Sequence, residues 1–191
     1  MKNLFRICCL PGLLLALASC QKDGNVTNQQ AAPQNQAELA SGKQNGNTRT
    51  FTVTVENVST PGLLNTPRLG GIVPLSPGAW AIYNGNDPMF TEGQMADIGT
   101  ERIAEDGAAG TKDAAMGALS RVRDHGIFRT VAGPILPGQS AQFSFNAGPG
   151  TRLQFETMFV QSNDWFYSFS GKKGLRLFNG NTPVTGDVTS A

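Results

Sequence analysis

Residues 142–159 read QFSFNAGPGTRLQFETMF, and this stretch decides the fold. Phe143 and Phe145 alternate with Gln142 and Ser144, and Ala147-Gly148-Pro149-Gly150 stops the run. Leu153, Phe155, Thr157 and Phe159 then alternate with Arg152, Gln154, Glu156 and Met158. A repeat of two is that of a strand with one face on a core and the other toward water. The spacing therefore predicts two strands joined by a turn, with Phe143 and Phe145 pointing inward.

The same pattern recurs outward in both directions. Phe51, Val53 and Val55 alternate with Thr52, Thr54 and Glu56 until Thr60-Pro61-Gly62 ends the run. Leu63 to Pro77 is punctuated by five Pro or Gly residues and reads as a long ordered loop. Ala79 to Tyr83 predicts a strand that ends in the turn-prone Asn84-Gly85-Asn86-Asp87-Pro88. Further strands are expected at Ile127 to Val131, Trp165 to Phe169, Leu175 to Phe178 and near Val184 to Val188.

Only residues 94–122 carry a helical pattern. Met95, Ile98 and Ile103 fall roughly on one face of a first helix, with Asp97 in its opening turns. Thr111 is placed to cap a second helix from Lys112 to Leu119, where Asp113 favours the positive end of the helix dipole. Gly107 and Gly110 separate the two. The expected fold is all-β: an antiparallel β-sandwich of about seven or eight strands with a short helical insertion.

The N-terminus has a different character. Met1 to Arg6 holds two basic residues and no acid, and Ile7 to Ala18 is apolar apart from Pro11 and Gly12. The run is short of the roughly 20 residues of a spanning helix, and basic head, apolar middle and small residues are the layout of an export signal. Leu17-Ala18-Ser19-Cys20 matches a lipobox, so cleavage between Ser19 and Cys20 and lipidation of the Cys20 thiol are expected. Two acyl chains anchor stably, because each buried methylene adds about 0.8 kcal/mol. Gln21 to Asn47 is rich in Gln, Asn, Ala and Gly and buries too little to offset its ordering entropy. The expected organisation is a signal at 1–19, a lipidated and disordered tether at 20–48, and one domain at 49–191. Lys22-Asp23 resembles a short charged signal that sends lipoproteins to the outer face of the outer membrane. The expected place is the bacterial envelope, at the outer membrane, periplasmic or surface-exposed.

Composition narrows the function. The chain has fifteen basic and fourteen acidic side chains, and losing Lys2 and Arg6 with the signal leaves thirteen against fourteen. No clustered basic face argues for nucleic acid. Cys8 and Cys9 would leave with the signal and Cys20 would be acylated, so the domain relies on its core and on no disulfide.

Several blocks resemble the spondin domain, the N-terminal domain type of F-spondin, which also occurs alone in bacterial exported proteins. They are Phe51-Thr-Val-Thr-Val-Glu-Asn, Pro74-Leu-Ser-Pro-Gly-Ala-Trp, Pro88-Met-Phe-Thr-Glu-Gly, Ala104-Glu-Asp-Gly and above all Thr157-Met-Phe-Val-Gln-Ser-Asn-Asp-Trp-Phe-Tyr. The resemblance covers residues 50–190 and implies an antiparallel β-sandwich with an extracellular binding role. It also implies a calcium ion held in part by the aspartate before Trp-Phe, which maps onto Asp164. The family's second acidic segment would follow Gly186-Asp187-Val188-Thr189, where this sequence ends at Ala191. The resemblance thus yields one calcium ligand, in a shortened protein or a fragment. Calcium takes about six to eight oxygens, so Asp164 alone is insufficient, and an aspartate that caps its own turn is the alternative.

No catalytic constellation stands out. His125, the single histidine, lies in Arg123-Asp124-His125-Gly126, which reads as a solvated turn, and no Gly-x-Ser-x-Gly elbow is present. Glu105-Asp106 or Glu92 with Asp97 would be the carboxylate pair of a glycosidase. Trp80, Trp165, Phe166 and Tyr167 would form either a sugar-stacking face or core. The expected function is a non-enzymatic binding or adhesion module, held to the membrane through its lipid, with a matrix protein, polysaccharide or envelope protein as partner. An envelope enzyme acting on carbohydrate and a structural subunit of an envelope complex are the alternatives.

Overall fold

The computed structural model describes residues 47–130, 133–170 and 173–188, together with the backbone of residues 5–11. Ser19, Cys20 and nearly all of the tether lie outside the described residues. The elements in chain order are β1 (Phe5–Pro11), β2 (Arg49–Asn57), β3 (Gly78–Tyr83), α1 (Ile98–Asp106), α2 (Gly110–Gly117), β4 (Val122–Phe128), β5 (Ser140–Ala147), β6 (Arg152–Met158) and five two-residue strands. These are β7 (Phe166–Tyr167), β8 (Leu175–Arg176), β9 (Phe178–Asn179), β10 (Thr182–Pro183) and β11 (Gly186–Asp187). The fold is an antiparallel β-sandwich with a short helical insertion, as the alternation predicts. Its last quarter is broken into shorter pieces than expected.

One sheet runs β11-β1-β2-β5 and a second β4-β3-β6-β7, with β8 also against β6, while β9 and β10 pair as a separate two-stranded ladder. The expected inward residues Phe51, Val53, Val55, Phe143 and Phe145 are buried, and β2 and β5 set Phe51 opposite Phe145 and Val53 opposite Phe143. From the second sheet Trp80, Ile82, Phe128, Leu153 and Phe155 complete this core. Phe143 stacks on Trp80 at 4.8 Å and on Phe128 at 5.6 Å between ring centroids. Trp80 lies opposite Gly126 across β3 and β4. A Cβ on Gly126 would sit 2.9 Å from the indole, so only glycine leaves room for the ring.

The second sheet is covered on its other face as well. Ala79, Ala81, Tyr83 and Met158 pack there against Ile103 of α1, Met116 of α2, and Met89. The molecule is therefore three layers deep, sheet on sheet on helices. This corrects the reading of β6: Gln154, Glu156 and Met158, the solvent-facing set by alternation, are buried along with Leu153, Phe155 and Thr157.

Other boundaries also differ from expectation. α1 begins at Ile98 with Asp97 as its cap, accepting the Thr100 N–H at 2.8 Å. Met95 lies before the helix and is 97% exposed. α2 starts at Gly110 behind Ala109, so Thr111 lies within the helix and caps nothing. β4 begins at Val122, five residues before the expected strand, because Val122 and Asp124 to Gly126 pair with β3, with an irregularity at Arg123. Asn57 closes β2: fully buried, it donates to the carbonyls of Val73 and Ile135 at 2.7 and 2.8 Å and accepts from Ser59. Those bonds tie the long loop to the sandwich.

Candidate functional site

The helical layer is joined to the sheet by charge. Lys112, in the first turns of α2, is fully buried. Its ammonium donates to the Met89 carbonyl at 2.6 Å and to both oxygens of Asp97 at 2.7 and 2.9 Å. Glu156 on β6, also fully buried, brings a carboxylate oxygen to 3.7 Å from the same nitrogen and accepts from the Thr100 hydroxyl at 3.1 and 3.2 Å. Two close approaches hold the lysine: α1 caps on Asp97, and a Cβ on Gly99 would meet the Lys112 Cα at 2.9 Å. Alongside, the Asp87 carboxylate accepts from Gln154 at 2.6 Å and from the Met89 N–H at 2.8 Å.

One ammonium thus serves a neighbourhood of three carboxylates, and their environments separate them. Burial raises Glu156 to about 7, against the opposing pull of Lys112 and Thr100. Burial also raises Asp87, with Gln154 and two backbone N–H groups acting the other way. Asp97 is partly desolvated too, but its bonds to Lys112 and Thr100 prevail and hold it below the usual carboxylate range. Near neutral pH the group holds a proton on Glu156 in part of the population, while Asp97 is ionised.

Above this cluster the loop from Asp87 to Asp97 bounds a cleft of about 490 Å³, closed on one side by Phe166 and Arg121. A second hollow of about 410 Å³ shares Met95, Ala96, Thr100 and Phe166 with it and adds Glu101, Glu105 and Asp164. Six carboxylates and one guanidinium line the two. Met95, which lines both hollows, is 97% exposed, and Ile98 and Trp165, next in sequence to the lining residues Asp97 and Asp164, are exposed by 54% and 61%.

The sequence-predicted residues are divided by this geometry. Asp164 faces the second hollow, and its turn is capped by Ser162, whose hydroxyl oxygen accepts the Trp165 N–H at 3.1 Å and donates to the Phe159 carbonyl at 2.8 Å. Among the described residues no group of three or more His, Cys, Asp or Glu is placed to hold a metal. His125 is not in a solvated turn. It pairs with Ala81 in β4, and its Nδ1 lies 2.6 Å from an Asp113 oxygen, both side chains about one-third exposed. Trp80 is sealed in the core, apart from Trp165, which packs edge-on against Phe159 at 5.7 Å. Of the Glu105-Asp106 pair, Asp106 is bound to Arg102 on the exposed face of α1, while Glu105 lines the second hollow. Asp97 is a helix cap and the partner of Lys112; Glu92 lines the first cleft.

Lys112, Glu156, Gln154 and Asp87 escape sequence reasoning. Three of them sit at positions that read as solvent-facing or turn residues, and their meeting needs the helices folded back onto the sheet. Compared with known protein families and curated proteins, the sequence matches no family model and no curated relative.

Proposed function

We propose that this chain is a lipid-anchored envelope protein whose sandwich is a non-enzymatic binding module of the spondin type, and that the acid-lined cleft is its recognition face. The supporting observation is that Met95, 97% exposed, lines both hollows together with six carboxylates. An exposed apolar side chain set within a polar rim is what a protein-binding surface offers. The rim's sign favours an envelope or matrix protein with basic residues beside apolar ones. The buried cluster keeps the helices that build the rim in register with the sheet. Lipid at Cys20 and a tether of Gln, Asn and Ala would hold the domain at the membrane and away from its headgroups.

The test is direct binding of the acyl-free mature chain to immobilised matrix proteins, polysaccharides and isolated envelope proteins. The reading expects saturable binding to a protein that weakens at least tenfold in Met95→Asp and falls with added salt. Absence of binding, together with carbohydrate hydrolysis lost on replacing one acidic residue, would contradict it. Calcium belongs to the same test: an upward shift of thermal unfolding that Asp164→Ala removes would assign a metal to the rim. Free calcium at 100 times its dissociation constant would add about 2.7 kcal/mol.

A further inference from the structure

The sheet edge beside β2 is completed by an unusual strand. β1 pairs with β2 over seven positions, from Phe5 opposite Asn57 to Pro11 opposite Phe51. On its other side Cys8 and Cys9 pair with Asp187 and Gly186 of β11. The strand comes from the segment whose residues read as an export signal, so in the mature protein it would be gone. β2 would then keep β5 on one side and present unpaired N–H and C=O groups on the other. β11, two residues long against the nine of β2, is too short to cover that edge.

We propose that the mature chain accepts a strand from another envelope polypeptide between β2 and β11, in the place β1 holds in this structure. This rests on the reading of residues 1–19 as a cleaved signal. The register states the chemistry of the occupant. Directly opposed residues in an antiparallel pair share a face, and Phe51, Val53 and Val55 are buried. The occupant is therefore apolar at the alternate positions opposite those three, as the register of Pro11, Cys9 and Ile7 has it. Opposite the half-buried Glu56, where Arg6 stands in the precursor, a basic residue is favoured. The partner segment runs antiparallel to β2 for about seven residues and is held by main-chain hydrogen bonds, with alternate side chains giving specificity. This surface is distinct from the acidic cleft, which lies with the helices on the far side of the second sheet.

The experiment uses the acyl-free mature chain from Gln21 and, as probe, a synthetic peptide of residues 4–12 carrying Cys8→Val and Cys9→Val. Amide hydrogen exchange is followed with and without peptide. The expected result is saturable binding and at least tenfold slower exchange at alternate β2 amides, abolished in a peptide with Ile7→Asp and Cys9→Asp. Should the mature chain not fold alone, recovery of a cooperative transition on adding the first peptide, but not the second, supports the proposal equally. No protection in a folded domain, equal effects of the two peptides, or failure of either peptide to restore folding overturns it. Protection of β2 that grows with protein concentration in the absence of peptide also overturns it, since a second copy then fills the slot. The mass of the protein recovered from membranes separates the two ideas. A chain that still carries residues 1–19 refutes the cleaved signal, whereas a cleaved chain that ignores the peptide refutes only the slot.

Discussion

The middle sheet has two faces that are equally buried and built on opposite principles. Toward β2 and β5 it presents Trp80, Phe128 and Phe155, which stack on other aromatic rings and carry no charge. Toward the helices the same strands present Gln154 and Glu156, which meet Asp87, Thr100 and Lys112. The aromatic face is held by apolar area and carries no group that titrates. On the helical side stability depends on every polar atom having a partner, and among the described residues no buried side-chain nitrogen or oxygen lacks one. A buried charge costs several kcal/mol when its partner is removed but little when both go together. The helical layer is thus more conditional than the sandwich beneath it.

That contrast can be broken at its strongest point first. Lys112→Met should lower stability by about 3–5 kcal/mol in urea unfolding at pH 7, because the fully buried Glu156 loses its nearest cation. Lys112→Met combined with Glu156→Leu should recover much of the loss, a non-additivity that two independent core residues would not show. Phe143→Ala should cost about 3–5 kcal/mol on the other face, by the same amount at pH 5 and pH 8.

Smaller and sharper is the pH dependence. Glu156 is raised to about 7 in the fold from 4.5, so the folded state binds more protons than the unfolded one between these values. Stability from this group is full below about 4.5 and is lost as pH rises through 7, up to about 3 kcal/mol in all. Asp97 has the opposite sign, but both of its states are ionised above pH 5 and it does not contribute in that window. Thermal unfolding from pH 5 to 8 in a His125→Gln background, which removes the single imidazole, should show the decline, and adding Glu156→Gln should flatten it. The smallest effect expected is Asp113→Asn, under about 1 kcal/mol, because its contact with His125 is partly in solvent.

The aromatic face was legible in the sequence and the charged one was not, for a physical reason. Alternation tells which residues of a strand share a face. It does not tell what covers the other face. Phe51, Val53 and Val55 could be placed from pattern alone, as could Phe143 and Phe145. In β6 the same rule assigned Gln154 and Glu156 to water, because nothing local announces that two helices fold back over them. Asp97 was legible as an acid at a helix start, but its bond to Lys112 joins α1 to α2 and is a tertiary fact. His125 reads as a turn residue only until β4 is known to begin at Val122. Of the cleft, the turn that ends at Asp87-Pro88 and the Asp164-Trp165-Phe166 block were legible separately; that Asp87 and Phe166 line one cleft was not.

The proposed function requires that residues 1–19 are removed and that the sandwich is displayed from a lipidated Cys20. Intact mass and N-terminal fragmentation of the protein extracted from bacterial membranes test it most directly. The predicted result is a chain beginning at Cys20 and carrying a diacylglycerol adduct, with Cys20→Ser abolishing both processing and membrane retention. A protein that begins at Met1, keeps Phe5–Pro11 in its sheet and carries no lipid would contradict it.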